Sequence, residues 1–369
     1  MLKSSNSLLN SINEAYLRIS PYIKVTPVLS FPSLNQLTGK DLAFKCEHLQ
    51  QTGSFKIRGA CNALFSLSDN VANLGVVTHS SGNHGIALSY ASSLRGCSAT
   101  VVLPWNSPKS KQNLIHEYGG KLVYCEPTVC AREAVCAQVQ AQTGSTFVPS
   151  SNSMQVVAGQ GTVALEFLEQ VSYDLDCIIA PVSGGGLIGG IAAAIKAVCP
   201  RIKIIAAEPQ GTNNAADVAA SKIAGRLLYL PTPETIADGL LARLGDITWP
   251  LVRDLVDDVI VVQEKEIIQA MLLCRTELNV SVEPSAATAL AAALSSRFLH
   301  GKQFEGLNKV GIILTGGNCT IDVSSDLHVD RHKAAKYGSS RIETTNAPFP
   351  ASLRRLTGSD NGPTLLGDV

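Results

Sequence analysis

Lys56 stands where a lysine can act as a nucleophile. It follows a Gly-Ser turn, Thr52-Gly53-Ser54, and opens an apolar-periodic run through Ala60, Ala63, Leu64 and Leu67, which predicts a helix that begins at the lysine. An ammonium at a helix start faces the positive end of the helix dipole, so its charged form loses some stability. A lysine held partly neutral can attack a carbonyl carbon and form an imine. An ordinary surface lysine has the same local pattern, so the chemistry turns on what other stretches bring to it.

Three glycine-bearing loops are candidates. The apolar strand Cys177 to Val182 runs into Ser183-Gly184-Gly185-Gly186-Leu187-Ile188-Gly189-Gly190 and then a helix. Backbone N–H groups bared by consecutive glycines at a helix start cradle a phosphate without a side-chain charge. Gly184-x-Gly186-x-x-Gly189 also fits a dinucleotide fingerprint, with Glu208 placed where a ribose-binding acid would sit, and a purely structural glycine turn is a third reading. Ser80-Ser81-Gly82-Asn83-His84-Gly85 follows a second strand; its N–H groups and hydroxyls suit a carboxylate, and Asn83 can bond a phenolic or carbonyl oxygen. Thr315-Gly316-Gly317-Asn318 ends the last core strand. All three loops fall at the carboxyl ends of strands, where open α/β sheets place ligands.

The elements that must hold these loops alternate between strand and helix. After a helix over 7–19 and a short one from Ser33, strand Leu42 to Cys46 leads into the lysine stretch. From Gly75 to Gln142 three strands alternate with three helices, the polar run Pro149 to Ser153 breaks the pattern, and a second alternating block runs to strand Val310 to Leu314 with one long helix over Pro284 to Phe298. The fold class is therefore α/β, with two open, mostly parallel twisted sheets and helices on both faces. The expected organisation is a large domain from 1–71 and 151–327, a small domain over 72–150, and a poorly ordered tail over 328–369 whose composition turns polar.

Bulk properties narrow the partners. Thirty basic residues balance thirty acidic ones, which argues against nucleic acid and charged membrane surfaces and for small molecules. With 45% hydrophobic residues the chain can bury a large core, yet no stretch has the length of a membrane span, so no membrane partner is expected. No secretory pattern opens the chain, and its ten cysteines form no Cys-x-x-Cys pair, so they read as buried free thiols in a reducing, cytoplasmic setting.

Seven stretches in order then resemble one family. Ser54 to Ala60, Ser80 to Gly85, Ala158-Gly159-Gln160-Gly161-Thr162, Ser183 to Leu187, Ala207-Glu208-Pro209, Ile236-Ala237-Asp238-Gly239 and Thr315 to Asn318 are similar to the serine racemase and serine/threonine dehydratase family of pyridoxal-phosphate enzymes. The resemblance implies a fold-type II homodimer, in which Lys56 holds pyridoxal 5'-phosphate as an imine and Phe55 packs on its ring. Asn83 would bond the 3-hydroxyl, Ser183, Gly184, Gly185, Gly186 and Leu187 the phosphate, and Thr315 would face the pyridine nitrogen. A neutral hydroxyl there makes the ring a milder electron sink, which favours proton shuffling and elimination. Lys56 and Ser81 would serve opposite faces of the substrate Cα, giving racemisation of serine, or loss of water from serine or threonine through the same carbanion. The substrate carboxylate would lie on Ser80, Ser81, Gly82, Asn83 and His84, with Arg132 at the rim.

Departures from the family pattern carry further expectations. Glu208, Thr212 and Asn214 match the positions that bind an activating Mg2+ or Ca2+ in some members, but an amide at 214 removes one charge of attraction, and Asp217 is the substitute at hand. Phe31-Pro32 and Gln51 replace the serines and the lysine of nucleotide-regulated racemases, which argues against ATP activation. Ser150 and Ser151, within a hydroxyl-rich loop, resemble the serine cluster of animal aspartate racemases, and the resemblance implies that they contact the substrate's β-substituent, where added donors suit a carboxylate. Aspartate racemase and threonine or hydroxyaspartate dehydratase are thus the alternatives within the class. A nicotinamide-dependent dehydrogenase would leave Lys56 and Thr315 without work.

Overall fold

The computed structural model describes residues 2–80, 82–319 and 340–341. Eleven strands among them form two sheets. They are β1 (Val28–Ser30), β2 (Asp41–Lys45), β3 (Val76–His79), β4 (Ala99–Pro104), β5 (Lys121–Cys125), β6 (Thr146–Phe147), β7 (Cys177–Pro181), β8 (Lys203–Pro209), β9 (Asp258–Val262), β10 (Lys309–Ile313) and β11 (Ser340–Arg341). The larger sheet runs β11-β1-β2-β10-β7-β8-β9, and the smaller runs β5-β4-β3-β6. Pairing is parallel except at the edge, where β1 lies antiparallel to β2 and to β11.

The strands of the larger sheet are covered on both faces, which is why they read as unbroken apolar runs. Ile178, Ala180, Ile204 and Ala206 face helices Leu2–Ile19, Met154–Gln170 and Gly186–Val198. The alternate residues Cys177, Ile179, Ile205 and Ala207 face helices Glu264–Thr276 and Pro284–Leu294. The alanines of that last helix let it lie close on the sheet, and Ala286, Ala287 and Ala289 are fully buried. The single helix expected over Pro284 to Phe298 is in fact two. Ser295 takes an extended backbone, ends the first helix, and its hydroxyl accepts the Phe298 N–H to start Ser296–His300.

A third core joins the two sheets. Helix Lys56–Phe65 buries Ile57, Ala60, Cys61 and Leu64 in one cluster with Ala87, Leu88 and Ala91 of helix Asn83–Arg95 and with Val76 of β3. Each buried Ile or Leu contributes on the order of 2 kcal/mol. The helix starts carrying Lys56 and Asn83 are thereby packed into one block. Of the expected tail, all but Ser340–Arg341 lies outside the described residues, as do residues 320–327. Among the described residues no helix is long and apolar enough to cross a membrane, and the ten cysteines are free thiols.

Candidate active site

The loops after β2, β10, β7 and β3 converge. After β2 the chain makes two short 3-10 turns, Glu47–Leu49 and Gln51–Gly53, and Phe55 then caps the helix that begins at Lys56. This approach is zipped to the loop after β10. Ser54 bridges Gly316, the Phe55 N–H donates to the Thr315 carbonyl at 3.1 Å, and the Gly317 N–H donates to the Gly53 carbonyl at 2.9 Å. Gly53 has φ of +72°, and a Cβ there would collide with the Asn318 side chain, so the turn requires glycine. The two motifs farthest apart in the chain thus become neighbours, with Thr315 buried beside the lysine stretch.

Lys56 Nζ donates to the Ser150 carbonyl at 2.8 Å and lies 5.1 Å from the Phe55 ring centroid. Burial lowers its pKa from 10.5 to about 8. Desolvation, rather than the helix end, is what makes this amine available. Two residues on, Arg58 anchors the helix in a buried network of four charges. Its guanidinium lies 2.7 Å from Glu47 and 2.8 Å from Glu166, and Lys45 reaches Glu166 at 2.9 Å, with every one of these side chains at most 1% exposed. Burial opposes the Arg58 charge, but the two glutamates outweigh it and hold the group protonated.

The glycine turn sits one residue from the lysine's acceptor. Gly185, with φ of +79°, caps helix Gly186–Val198. A Cβ on Gly184 would meet the Ser151 side chain, and one on Gly186 would lie 3.0 Å from the Ser151 Cα. Ser150 and Ser151 therefore link the amine to a turn of bare peptide groups. Ser151 faces the glycine turn, while Ser150 offers its carbonyl to Lys56. Asn152 completes the support, as its Oδ1 accepts the Ile247 N–H at 3.0 Å and its Nδ2 donates to Asp246 at 2.8 Å. Ser183 Oγ donates to the Ala242 carbonyl at 2.7 Å, and Leu187 is buried in the core.

The loop after β3 closes the opposite side. Ser81 lies outside the described residues. Asn83 Nδ2 donates to Glu283 Oε2 at 2.7 Å, and Asn83 Oδ1 accepts from Asn318 Nδ2 at 2.9 Å. Gly316 passes directly over this pair, and a Cβ on it would lie 3.2 Å from Asn83 Nδ2. His84 is buried, its Nε2 is 3.0 Å from the Val148 carbonyl, and its Nδ1 has no partner. Burial first, and the nearby Lys56 charge next, push its pKa down to about 3. Ser80 accepts the Gly82 N–H at 3.3 Å. Arg132, on helix Val129–Thr143, is close enough to His79 at the end of β3 for its charge to help lower that imidazole's pKa, after burial. The Arg132 Nε is buried without a partner.

The acids considered for a cation are already engaged. Glu208 accepts the Val218 and Ala219 N–H groups at 2.8 and 2.9 Å, and burial pushes its carboxyl up to about 8. That bonding also turns it away from the role of a ribose-binding acid. Thr212 Oγ1 donates to Glu234 at 2.9 Å, and Asn214, at φ of +53°, accepts from Gln210 at 2.5 Å. Asp217 opens the helix that Glu208 caps, and burial raises its pKa. Among the described residues no three His, Cys, Asp or Glu side chains are grouped to hold a metal ion.

Sequence reasoning gave no role to Lys111, Asp238, Glu283 or Asn318. Lys111 pairs with Asp238 at 2.6 Å and lies 3.4 Å from Glu283. Nothing local marks Lys111, which sits in a polar helix and whose partners are more than a hundred residues away. The signal within reach was the acid just before Pro284, at the N-cap position of a helix, where the Glu283 side chain makes no cap hydrogen bond.

A bound pyridoxal phosphate fits this set: a half-buried amine of lowered pKa, a turn of bare N–H groups where side chains would collide, and an amide with one N–H to spare. The family model described as "Pyridoxal-phosphate dependent enzyme" matches residues 19–316. A serine racemase of Arabidopsis thaliana is 51% identical over 315 residues, spanning 85% of this chain and 93% of that protein. A beta-hydroxyaspartate dehydratase of Paracoccus denitrificans is 44% identical, over 84% of this chain and 95% of that protein. The structure of maize serine racemase superposes with a TM-score of 0.83 at 50% identity, covering 86% of this chain and 94% of that one.

Proposed function

Because the chain belongs to the family of pyridoxal-phosphate dependent enzymes, we propose that it interconverts L- and D-serine and also eliminates water from serine and threonine. The observation that carries this reading is the Lys56 amine bonded to the Ser150 carbonyl, next to Ser151 packed on the glycine turn. An amine and a phosphate cradle placed this close suit one small cofactor joined at both ends.

When bound, the cofactor supplies an aldehyde that takes up an amine and a ring that draws electron density from the substrate's Cα. This chain's residues do the rest. The Gly184 to Gly186 turn and the start of helix Gly186–Val198 would hold the phosphate through N–H groups. Asn83 would donate its free N–H to the phenolic oxygen, and Thr315 would offer only a neutral hydroxyl to the ring nitrogen. Lys56, neutral over part of the physiological range, takes or returns the Cα proton on one face. Ser81 is assigned the other face, and an inverted centre needs both. The Ser80 to His84 loop receives the α-carboxylate, with Arg132 at its rim. The working form is a cytoplasmic homodimer.

Chiral chromatography of products from L-serine, L-threonine and L-aspartate, each with and without a magnesium chelator, tests this. D-serine and pyruvate from L-serine are expected. D-aspartate without D-serine would replace the reading with aspartate racemisation. Keto acids alone would leave a dehydratase, and absence of a pyridoxyl label on Lys56 after borohydride reduction would remove it altogether.

A further inference from the structure

Lys111 is a buried cation beside the Asn83 loop that the proton chemistry does not use. It lies on helix Lys109–Glu117, which connects β4 and β5 of the smaller sheet, and its side chain is 7% exposed. Both of its carboxylate partners belong to the other unit. Asp238 sits in the 3-10 turn Asp238–Leu240, and Glu283 directly precedes helix Pro284–Leu294. A Cβ built on Gly82 would lie 3.5 Å from Lys111 Nζ, so the ammonium also backs the loop that carries Asn83.

We propose that Lys111 is a positioning residue, which clamps the smaller-sheet unit to the larger one across the site and, through Glu283, fixes which end of the Asn83 amide faces the cofactor. Asn83 Oδ1 is occupied by Asn318 and one of its amide hydrogens by Glu283 Oε2, so what remains is a donor. Two groups set that polarity: Asn318, whose Nδ2 is held by the Thr52 carbonyl at 2.8 Å, and Glu283 in its ionised form. Its side chain is 3% exposed, and burial raises its pKa while the Lys111 charge opposes the rise. Without the ammonium the largest opposition to that rise is lost, the protonated carboxyl is favoured further, and in that form it could donate to Asn83 Oδ1. Rotation of the amide, with Asn318 displaced from it, would then present its oxygen to the cofactor's phenolic group, which reverses the hydrogen bond.

This inference rests on Asn83 donating to the bound cofactor, and the experiment separates the two. Full-length protein reconstituted with pyridoxal phosphate is compared as wild type, Lys111→Met, Lys111→Arg and Asp238→Asn. The readouts are the ratio of the bound cofactor's two tautomeric absorbance bands and the KM and kcat for L-serine. Lys111→Met should shift the ratio several-fold toward the form with a protonated phenolic oxygen and raise KM roughly tenfold, as expected for loss of a charge-assisted bond. Lys111→Arg should restore much of both, and Asp238→Asn should move both less and in the same direction. A Lys111→Met protein that binds the cofactor with band ratio and KM within twofold of wild type overturns the proposal, as does one that only loses stability. If Lys111→Met does not fold, Asp238→Asn decides, because Asp238 is 47% exposed and tolerates the change; unchanged band ratio and KM in that variant refute the clamp. A wild-type protein that takes up no cofactor at Lys56 would instead sink the cofactor reading.

Discussion

Replacing Lys56 by methionine should make the cofactor-free protein more stable at neutral pH. The folded chain lowers the lysine's pKa from 10.5 to about 8 by burying it. A shift of roughly 2.5 units is worth about 3.4 kcal/mol against the charged form at 1.36 kcal/mol per unit. Solvent reaching the half-buried side chain reduces this to about 3 kcal/mol. The lost hydrogen bond to the Ser150 carbonyl offsets about 1 kcal/mol more, which leaves Lys56→Met ahead by about 2 kcal/mol at pH 7. The sign follows from proton counting. Between pH 8 and 10.5 the unfolded chain holds a proton on Lys56 that the folded chain has released, so wild-type stability rises with pH there. The advantage of the variant should therefore be full below pH 8, shrink through that window, and reverse by about 1 kcal/mol above pH 10.5. Urea unfolding of both cofactor-free proteins at pH 7, 8.5, 9.5 and 10.5 would measure it. A variant less stable than wild type at pH 7, or a difference that does not change with pH, would refute the desolvation argument. The same energy that destabilises the charged amine keeps a nucleophile ready for the cofactor.

Glu166→Gln would leave the buried Arg58 with Glu47 alone and remove the carboxylate that Lys45 pairs with, and unfolding should show a loss of about 3–5 kcal/mol. Gly185→Ala would force a Cβ to 2.6 Å from Leu244 Cδ2 at a φ of +79°, which costs roughly 2 kcal/mol or more, and equilibrium dialysis should show cofactor affinity falling with it. His84 should remain a neutral Nε2–H imidazole at pH 5 by nitrogen NMR, since burial holds its pKa near 3. Its contribution to stability should fall as pH drops from 6.5 toward 3, because the unfolded chain gains a proton that the folded one refuses. A midpoint close to 6.5 would contradict that burial.

Much of this was legible along the chain. Short continuous apolar runs gave the strands and the 3.6-residue period gave the helices, because each signal is complete within a few residues and reports only what is buried. The short partners were not legible: β6, Thr146–Phe147, is two residues long and is fixed by β3 rather than by its own sequence. The break at Ser295 was missed for a related reason, since the residue that ends one helix also caps the next. That the Ser150 carbonyl meets Lys56 and that Ser151 packs on the glycine turn was not legible either, since each contact joins stretches far apart in the chain.

By itself the sequence determined which groups could do chemistry: an amine at a helix start, bare peptide turns at strand ends, and a hydroxyl where other enzymes use an acid. These are properties of a residue and its immediate neighbours, and spacing alone carries them. Tertiary structure decided what each group meets. The lowered pKa of Lys56 comes from burial under distant elements. The polarity of Asn83 comes from Glu283 and Asn318, two hundred or more positions away. The ammonium of Lys111 finds its acids across the cleft between two sheets. Desolvation and long-range pairing depend on where the chain returns in space, and no local pattern records that.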